Sequence, residues 1–163
     1  MALTKRSMAS VYLLKDDQIL LLYRQGSRVV NNVWIGSAGG HMEPQEMDTP
    51  ETCALRELHE ELRLTEDDIT PPVLRYITLR LKNGEVRQNY YFFARLREDK
   101  ALTSTEGQLH WVKFEDIPQL KMPSSAKHMI LHYLKEGRYT DCLYAGITEE
   151  NGTKFIPLIE FEG

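Results

Sequence analysis

Arg56-Glu57-Leu58-His59-Glu60-Glu61-Leu62 is the stretch on which the fold reading turns. At about 100° per residue, Glu57, Glu60 and Glu61 fall on one side of a helix. Leu55, Leu58 and Leu62 fall on another side, roughly 140° away. The leucines can anchor the helix in a core while three carboxylates project together. Like charges at these spacings cost the helix about 0.2–0.5 kcal/mol per pair. Arg56, four residues before Glu60, can relieve one of them. Three clustered carboxylates form a hard-oxygen donor set suited to magnesium, which takes a few carboxylates, keeps several waters and accepts phosphate oxygens. An acidic triplet alone is more often a solvated helix face, so the flanking residues decide.

Working outward, the helix is expected from about Thr49 to about Leu62. Asp48 or Thr49 can serve as N-cap, and Pro50 suits the first turn, where its missing N–H has no partner to lose. With Asp48 as the cap, Glu51 takes the capping-box position. Before the helix, Met8–Leu14 and Ile19–Arg24 read as a hairpin around the polar turn Lys15-Asp16-Asp17-Gln18. A polar loop, Gln25–Asn32, follows, then the short apolar run Val33–Ile35 and the glycine-rich loop Gly36-Ser37-Ala38-Gly39-Gly40. After the helix, Val73–Leu81 and Tyr90–Leu96 read as strands joined near Asn83-Gly84, and Gln108–Phe114 as another strand. Ser124–Lys135 has helical spacing and Gly137 sits where that helix stops. Tyr139–Ile147 and Lys154–Phe161 read as a hairpin around Asn151-Gly152. Hairpins interleaved with two helices imply a mixed sheet covered by helices, not a doubly wound parallel one.

The chain has 163 residues and is 42% apolar, which fits one globular domain over 1–163 without repeats or linkers. The formal net charge of −4 argues against a general binder of nucleic-acid backbone. The charge is uneven: ten acids lie between His41 and Asp68 against Arg56 and Arg63, so that window carries −8 and the remainder +4. The first residues contain no long apolar run, so neither a signal peptide nor a membrane span is expected. Cys53 and Cys142 form no disulfide framework, and a reducing cytoplasm is the expected location.

Gly39-Gly40-His41-Met42-Glu43-Pro44-Gln45-Glu46 followed by Arg56-Glu57-Leu58-His59-Glu60-Glu61-Leu62-Arg63-Leu64 resembles the Nudix box. That box reads Gly, five residues, Glu, seven residues, Arg-Glu-aliphatic-any-Glu-Glu-any-Gly-aliphatic. Gly40 and Glu46 have its spacing, and Arg56, Glu57, Leu58, Glu60, Glu61 and Leu64 match position by position. Two departures stand out. Nine residues separate Glu46 from Arg56, so Glu46 and Asp48 are both candidates for the first acidic position. Arg63 replaces the final glycine, where the family turns sharply, so either the helix runs on or the turn differs.

The resemblance implies an α/β/α sandwich, of α/β (α+β) class, with a mixed sheet and a loop–helix–loop catalytic motif. It implies a magnesium-dependent hydrolase (manganese as a substitute) that cuts a diphosphate linkage in a small nucleotide. By position, Glu57, Glu60 and Glu61 bind metal, with Glu60 or Glu61 acting on the water. The Gly40 carbonyl is a further ligand, and Arg56 orients the loop through an acid such as Glu46. The MutT-like branch acting on oxidised purine nucleoside triphosphates, of the 8-oxo-dGTP type, has a Glu five residues before an aromatic. Glu106 before Trp111 has that arrangement and is expected as a fourth acid. Ser124 and Ser125 stand where that branch's purine readers carry acids. Arg24 is a candidate phosphate contact and Trp34 a candidate base platform, against plain surface and core roles.

The leading expectation is hydrolysis of a nucleoside triphosphate to monophosphate and pyrophosphate. ADP-ribose or another nucleoside diphosphate derivative is the alternative substrate class. A non-catalytic nucleotide-sensing domain is the alternative outside enzymes. No membrane or nucleic-acid polymer is expected as partner.

Overall fold

The computed structural model describes residues 2–25 and 32–163. Most of the loop expected over Gln25–Asn32 therefore lies outside the described residues. Strand β1 (Thr4–Lys15) is the longest and turns through Asp16-Asp17 into β2 (Gln18–Arg24). Next come β3 (Val33–Ile35), β4 (Ala38–His41), helix α1 (Pro50–Leu62), β5 (Val73–Lys82) and β6 (Glu85–Arg95). The chain ends with β7 (Gly107–Lys113), helix α2 (Ser124–Lys135), β8 (Leu143–Glu149) and β9 (Gly152–Leu158).

Among the described residues, nine strands form one mixed sheet in the order β3-β2-β1-β6-β5-β8-β9, with β4 beside β1 and β7 beside β2. β1 and β6 run parallel from Thr4↔Glu85 to Leu14↔Arg95, and β5 pairs parallel with β8. The remaining pairs are antiparallel. Alternation along the central strands divides the core in two. Ala9, Val11 and Leu13 of β1, with Phe92 and Ala94 of β6, meet Cys53, Ala54, Leu58 and Leu62 of α1. Tyr12 and Leu14, with Tyr91 and Phe93, meet Met129, Ile130 and Tyr133 of α2. One helix on each face makes the α/β/α sandwich expected of the sequence. Among the described residues, no helix is long and apolar enough to cross a membrane.

Several boundaries move. β1 and β6 extend toward Thr4 and Glu85 through polar residues, because each supplies the other's backbone partners and a two-residue turn closes β5 onto β6. Asn83 (φ 51°) and Gly84 (φ 73°) take the left-handed conformations of such a turn. The glycine-rich segment read as a loop is in part strand β4, pairing Ala9↔Gly40 and Ser10↔Gly39. Residues Gly137–Tyr139 form a short 3-10 turn rather than the start of β8.

Helix α1 begins after Thr49, whose side chain makes no capping bond, so the Asp48–Glu51 box does not form. It ends at Arg63, whose φ of 58° is left-handed and whose N–H donates to the His59 carbonyl at 2.9 Å. Of the two outcomes the sequence left open, the helix therefore stops, in a left-handed turn made by an arginine. Left-handed backbone costs a residue with a Cβ about 1–2 kcal/mol, and glycine's greater unfolded-state freedom offsets part of that. Arg63→Gly is expected to raise unfolding stability by about 1 kcal/mol. Urea denaturation measures this, and an unchanged or lower midpoint would show that the Arg63 side chain does more than occupy the turn.

Candidate active site

After β4 the chain makes a 3-10 turn at Pro44–Glu46 and reaches α1 through Met47–Thr49. Glu46 is buried at 2% exposure, whereas Asp48 is exposed. Arg56 Nε and Nη2 donate to the two oxygens of Glu46 at 2.8 and 2.9 Å. Of the two acids the spacing allowed, Glu46 meets the arginine, and the extra residues lengthen the connection after it. The Glu43 N–H donates to Glu46 Oε1 at 2.9 Å, and Arg56 Nη2 donates to the His41 carbonyl at 3.1 Å. Arg56 Nη1 reaches Glu57 at 2.9 Å and Glu60 at 3.2 Å. One guanidinium thus joins the loop to the helix. Its hydrogen bond to Glu46, outweighing the cost of burial, holds that carboxyl down at about 2.

A cleft of about 890 Å³ opens between β4, the second half of α1 and the segment before β7. Glu57, Glu61, Glu106 and Gly40 line it, with Arg24 and Arg56. Gly40 lets the Glu57 carboxylate approach the backbone closely, since a Cβ there would displace that carboxylate. Glu61 accepts the Gly39 N–H at 2.8 Å. Burial, and then the neighbouring Glu106 and Glu57, push the Glu61 carboxyl up to about 8. Burial also raises Glu57, against the pull of Arg56. Carboxyls crowded like this cannot all stay ionised without a proton or a cation among them. The donor set therefore fits a divalent metal ion. Among the described residues, no three acidic, histidine or cysteine side chains already converge as a closed cage. The acids surround a shared space that opens to solvent. Glu60 is exposed, is held by Arg56 and does not line the cleft.

The sequence model of the NUDIX domain matches residues 4–133. The chain belongs to the NUDIX family. Members of this family generally use divalent metal ions and act on small nucleotide substrates. Among solved structures it is similar to a MutT protein from Bacillus halodurans, at 22% identity and a TM-score of 0.66, covering 92% of this chain and 97% of that one. A NUDIX hydrolase from Nitrosomonas europaea aligns at 17% identity and a TM-score of 0.71, covering 90% of this chain and 80% of that one. The dihydroneopterin triphosphate pyrophosphohydrolase of E. coli aligns at 16% identity and a TM-score of 0.62, over 83% of this chain and 99% of that one. At these identities the likeness is one of fold. No curated protein shows significant similarity to the chain.

In this Nudix chain Arg24 lies at the cleft, 3.4 Å from Glu106. Trp34 is not among the lining residues. It packs against Tyr23 and His110 beside the α2 half of the core. His128 bonds the Thr153 hydroxyl, and His132 bonds Tyr76 and Glu136, so these two histidines have separate partners. Cys53 and Cys142 are both free thiols. Sequence reasoning missed Arg6, which lines the cleft and bonds His41 at 3.0 Å. Its only signal would have been the pairing of β1 with β4, which the glycine-rich reading concealed.

Removing one member of a buried ion pair strands the other and costs about 3–5 kcal/mol. Glu46→Ala is expected to lose that much unfolding stability at pH 7. Because the Glu46 pKa is depressed in the folded state, its contribution is complete above its unfolded value of 4.5 and declines as pH falls toward about 2. Denaturant unfolding between pH 7 and pH 2.5 should therefore be shallower in pH for the variant than for the wild type. Parallel curves would assign the acid sensitivity to other carboxylates.

Proposed function

We propose that this Nudix hydrolase converts a nucleoside triphosphate to the monophosphate and pyrophosphate with magnesium, oxidised purine nucleotides being the first substrates to try. The observation that carries the reading is the convergence of Glu57, Glu61 and Glu106 on one cleft beside Gly40. Magnesium, or manganese in its place, would be held by Glu57, Glu61, Glu106 and the Gly40 carbonyl, with Glu60 joining when it leaves Arg56. When bound, such a metal lowers the pKa of a water and offsets the charge of phosphate oxygens. The chain's own groups supply the remainder. Arg24 binds a phosphate oxygen at the cleft edge. Glu61, fixed by the Gly39 N–H, or its neighbour Glu60 takes the proton of the attacking water. Arg56 keeps the loop and the helix in register, so that the reacting groups are positioned rather than gathered at each turnover.

The whole of 1–163 is proposed to work as one domain. The volume of the cleft, about 890 Å³, supports a nucleotide-sized ligand. The test is a hydrolysis panel of ordinary and oxidised nucleoside triphosphates, ADP-ribose and dinucleoside polyphosphates, with products separated by chromatography. Pyrophosphate and a monophosphate are expected from one triphosphate. Glu61→Gln, Glu57→Gln and Glu60→Gln are expected to lower kcat by about 10²-fold or more. Ribose phosphate from ADP-ribose would retain the mechanism and replace the substrate. Wild-type rates in a folded Glu61→Gln variant would remove Glu61 from the proposed machinery.

A further inference from the structure

A second cavity, of about 320 Å³, lies on the α2 face of the sheet and shares no lining residue with the acidic cleft. Arg75, Arg95, Arg138 and the ring of Tyr133 line it. Its floor includes Leu14 at the far end of β1, whereas the acidic cleft takes Met8 from the near half of the same strand. Six residues of extended chain separate these two points by roughly 20 Å.

Each arginine arrives by a different route. Arg75 sits where the β5–β6 register slips between Leu74 and Tyr76, a bulge that redirects one side chain out of the regular alternation. Its guanidinium donates to the carbonyls of Gly137, Thr140 and Cys142 and lies 5.8 Å from the centre of the Tyr133 ring. Arg95 ends β6 opposite Leu14, on the side of the strand that carries Phe93. Arg138 follows α2, stacked over Phe114 and Tyr139 at 5.1 and 4.6 Å. Carbonyls and aromatic faces orient Arg75 and Arg138 without neutralising them. Among the described residues, none of the three has a carboxylate within ion-pair distance. Asp141 is the one acid lining the cavity. All three positive charges also act on the Tyr133 hydroxyl, opposing the rise that its burial imposes.

We propose that this cavity is a binding site for a small phosphate-class oxyanion. Three guanidinium groups, those of Arg75 and Arg138 held in place by carbonyls and aromatic faces, line a space large enough for one phosphate or diphosphate group, and such planar donors select an oxyanion over a lone halide. Part of the positive charge remaining outside the acidic window of the sequence is thus gathered at one place.

The test uses the full chain without metal, in the presence of a chelator, so that the acidic cleft repels anions. Inorganic phosphate, pyrophosphate and a nucleoside monophosphate are titrated by calorimetry, and the arginine Nε–Hε resonances are followed by NMR. One saturable site is expected, with shifts at Arg75, Arg95 and Arg138. Arg95→Gln combined with Arg138→Gln should weaken binding at least tenfold, and Asp141→Asn should tighten it. Arg24→Gln, at the other cleft, should leave it unchanged. Arg75 is left intact because its carbonyl bonds hold the turn after α2. The tightest of the three probes names the ligand. No saturable binding by the wild type, equal binding by the double variant, or loss in Arg24→Gln would each overturn the proposal.

Discussion

The arrangement of the cleft depends on one buried ion pair, Arg56 with Glu46. A buried pair adds little net stability over apolar groups of the same volume, because desolvation cancels most of the attraction. Its consequence here is positional. Both oxygens of Glu46 are engaged by the guanidinium, and the same group reaches the His41 carbonyl, Glu57 and Glu60. The loop after β4 and the middle turns of α1 cannot move independently while those bonds hold. Gly40 and Glu57, which belong to different elements, stay in contact for that reason. The carboxylates not engaged by Arg56 are thereby left facing one another across the cleft.

Much of the fold could be read in advance because its signals are local. The leucine spacing placed α1 and its buried side, and Leu58 and Leu62 are indeed in the core. Asn83-Gly84 marked a hairpin whose turn has the backbone conformations those residues favour. The misreadings came where distant partners override local preference. Gly39 and Gly40 look like loop residues, yet they complete the hydrogen bonding of β1, a strand thirty positions earlier in the chain. Lys5, Arg6 and Ser7 look too polar to extend a strand, but β6 lies alongside them. Arg63 gave no sign by itself of which turn it makes, since the conformation is imposed by Leu62 and Leu64 both being buried around it.

The acids of the cleft were open to sequence reading to different degrees. Glu57, Glu60 and Glu61 follow from helical spacing, although Glu60 is turned toward Arg56. Glu106 required the family resemblance, because nothing in its own neighbourhood links it to a helix far away in sequence. Arg6 and Arg24 meet the cleft through strand register, which a single sequence leaves undetermined. The basic cavity was invisible for a related reason. Arg75, Arg95 and Arg138 share no periodicity, and the bulge that turns Arg75 toward α2 is a property of strand pairing.

The parallel pairing of β1 with β6 bears on how the molecule acquires its structure. Thr4 lies opposite Glu85 and Leu14 opposite Arg95, so β1 must wait for a strand made much later in the chain. Closing so long a loop costs entropy before the contacts it permits are gained, and topologies of this kind fold slowly. During synthesis the residues of β1 through α1 emerge before those of β6, so their apolar side chains lack the covering they find against Phe92 and Ala94 in the finished fold. The acidic helix carries its own solubilising charge through that interval. Glu57, Glu60 and Glu61 are made before β6, so their like charge is already present to oppose association while the centre of the sheet is incomplete.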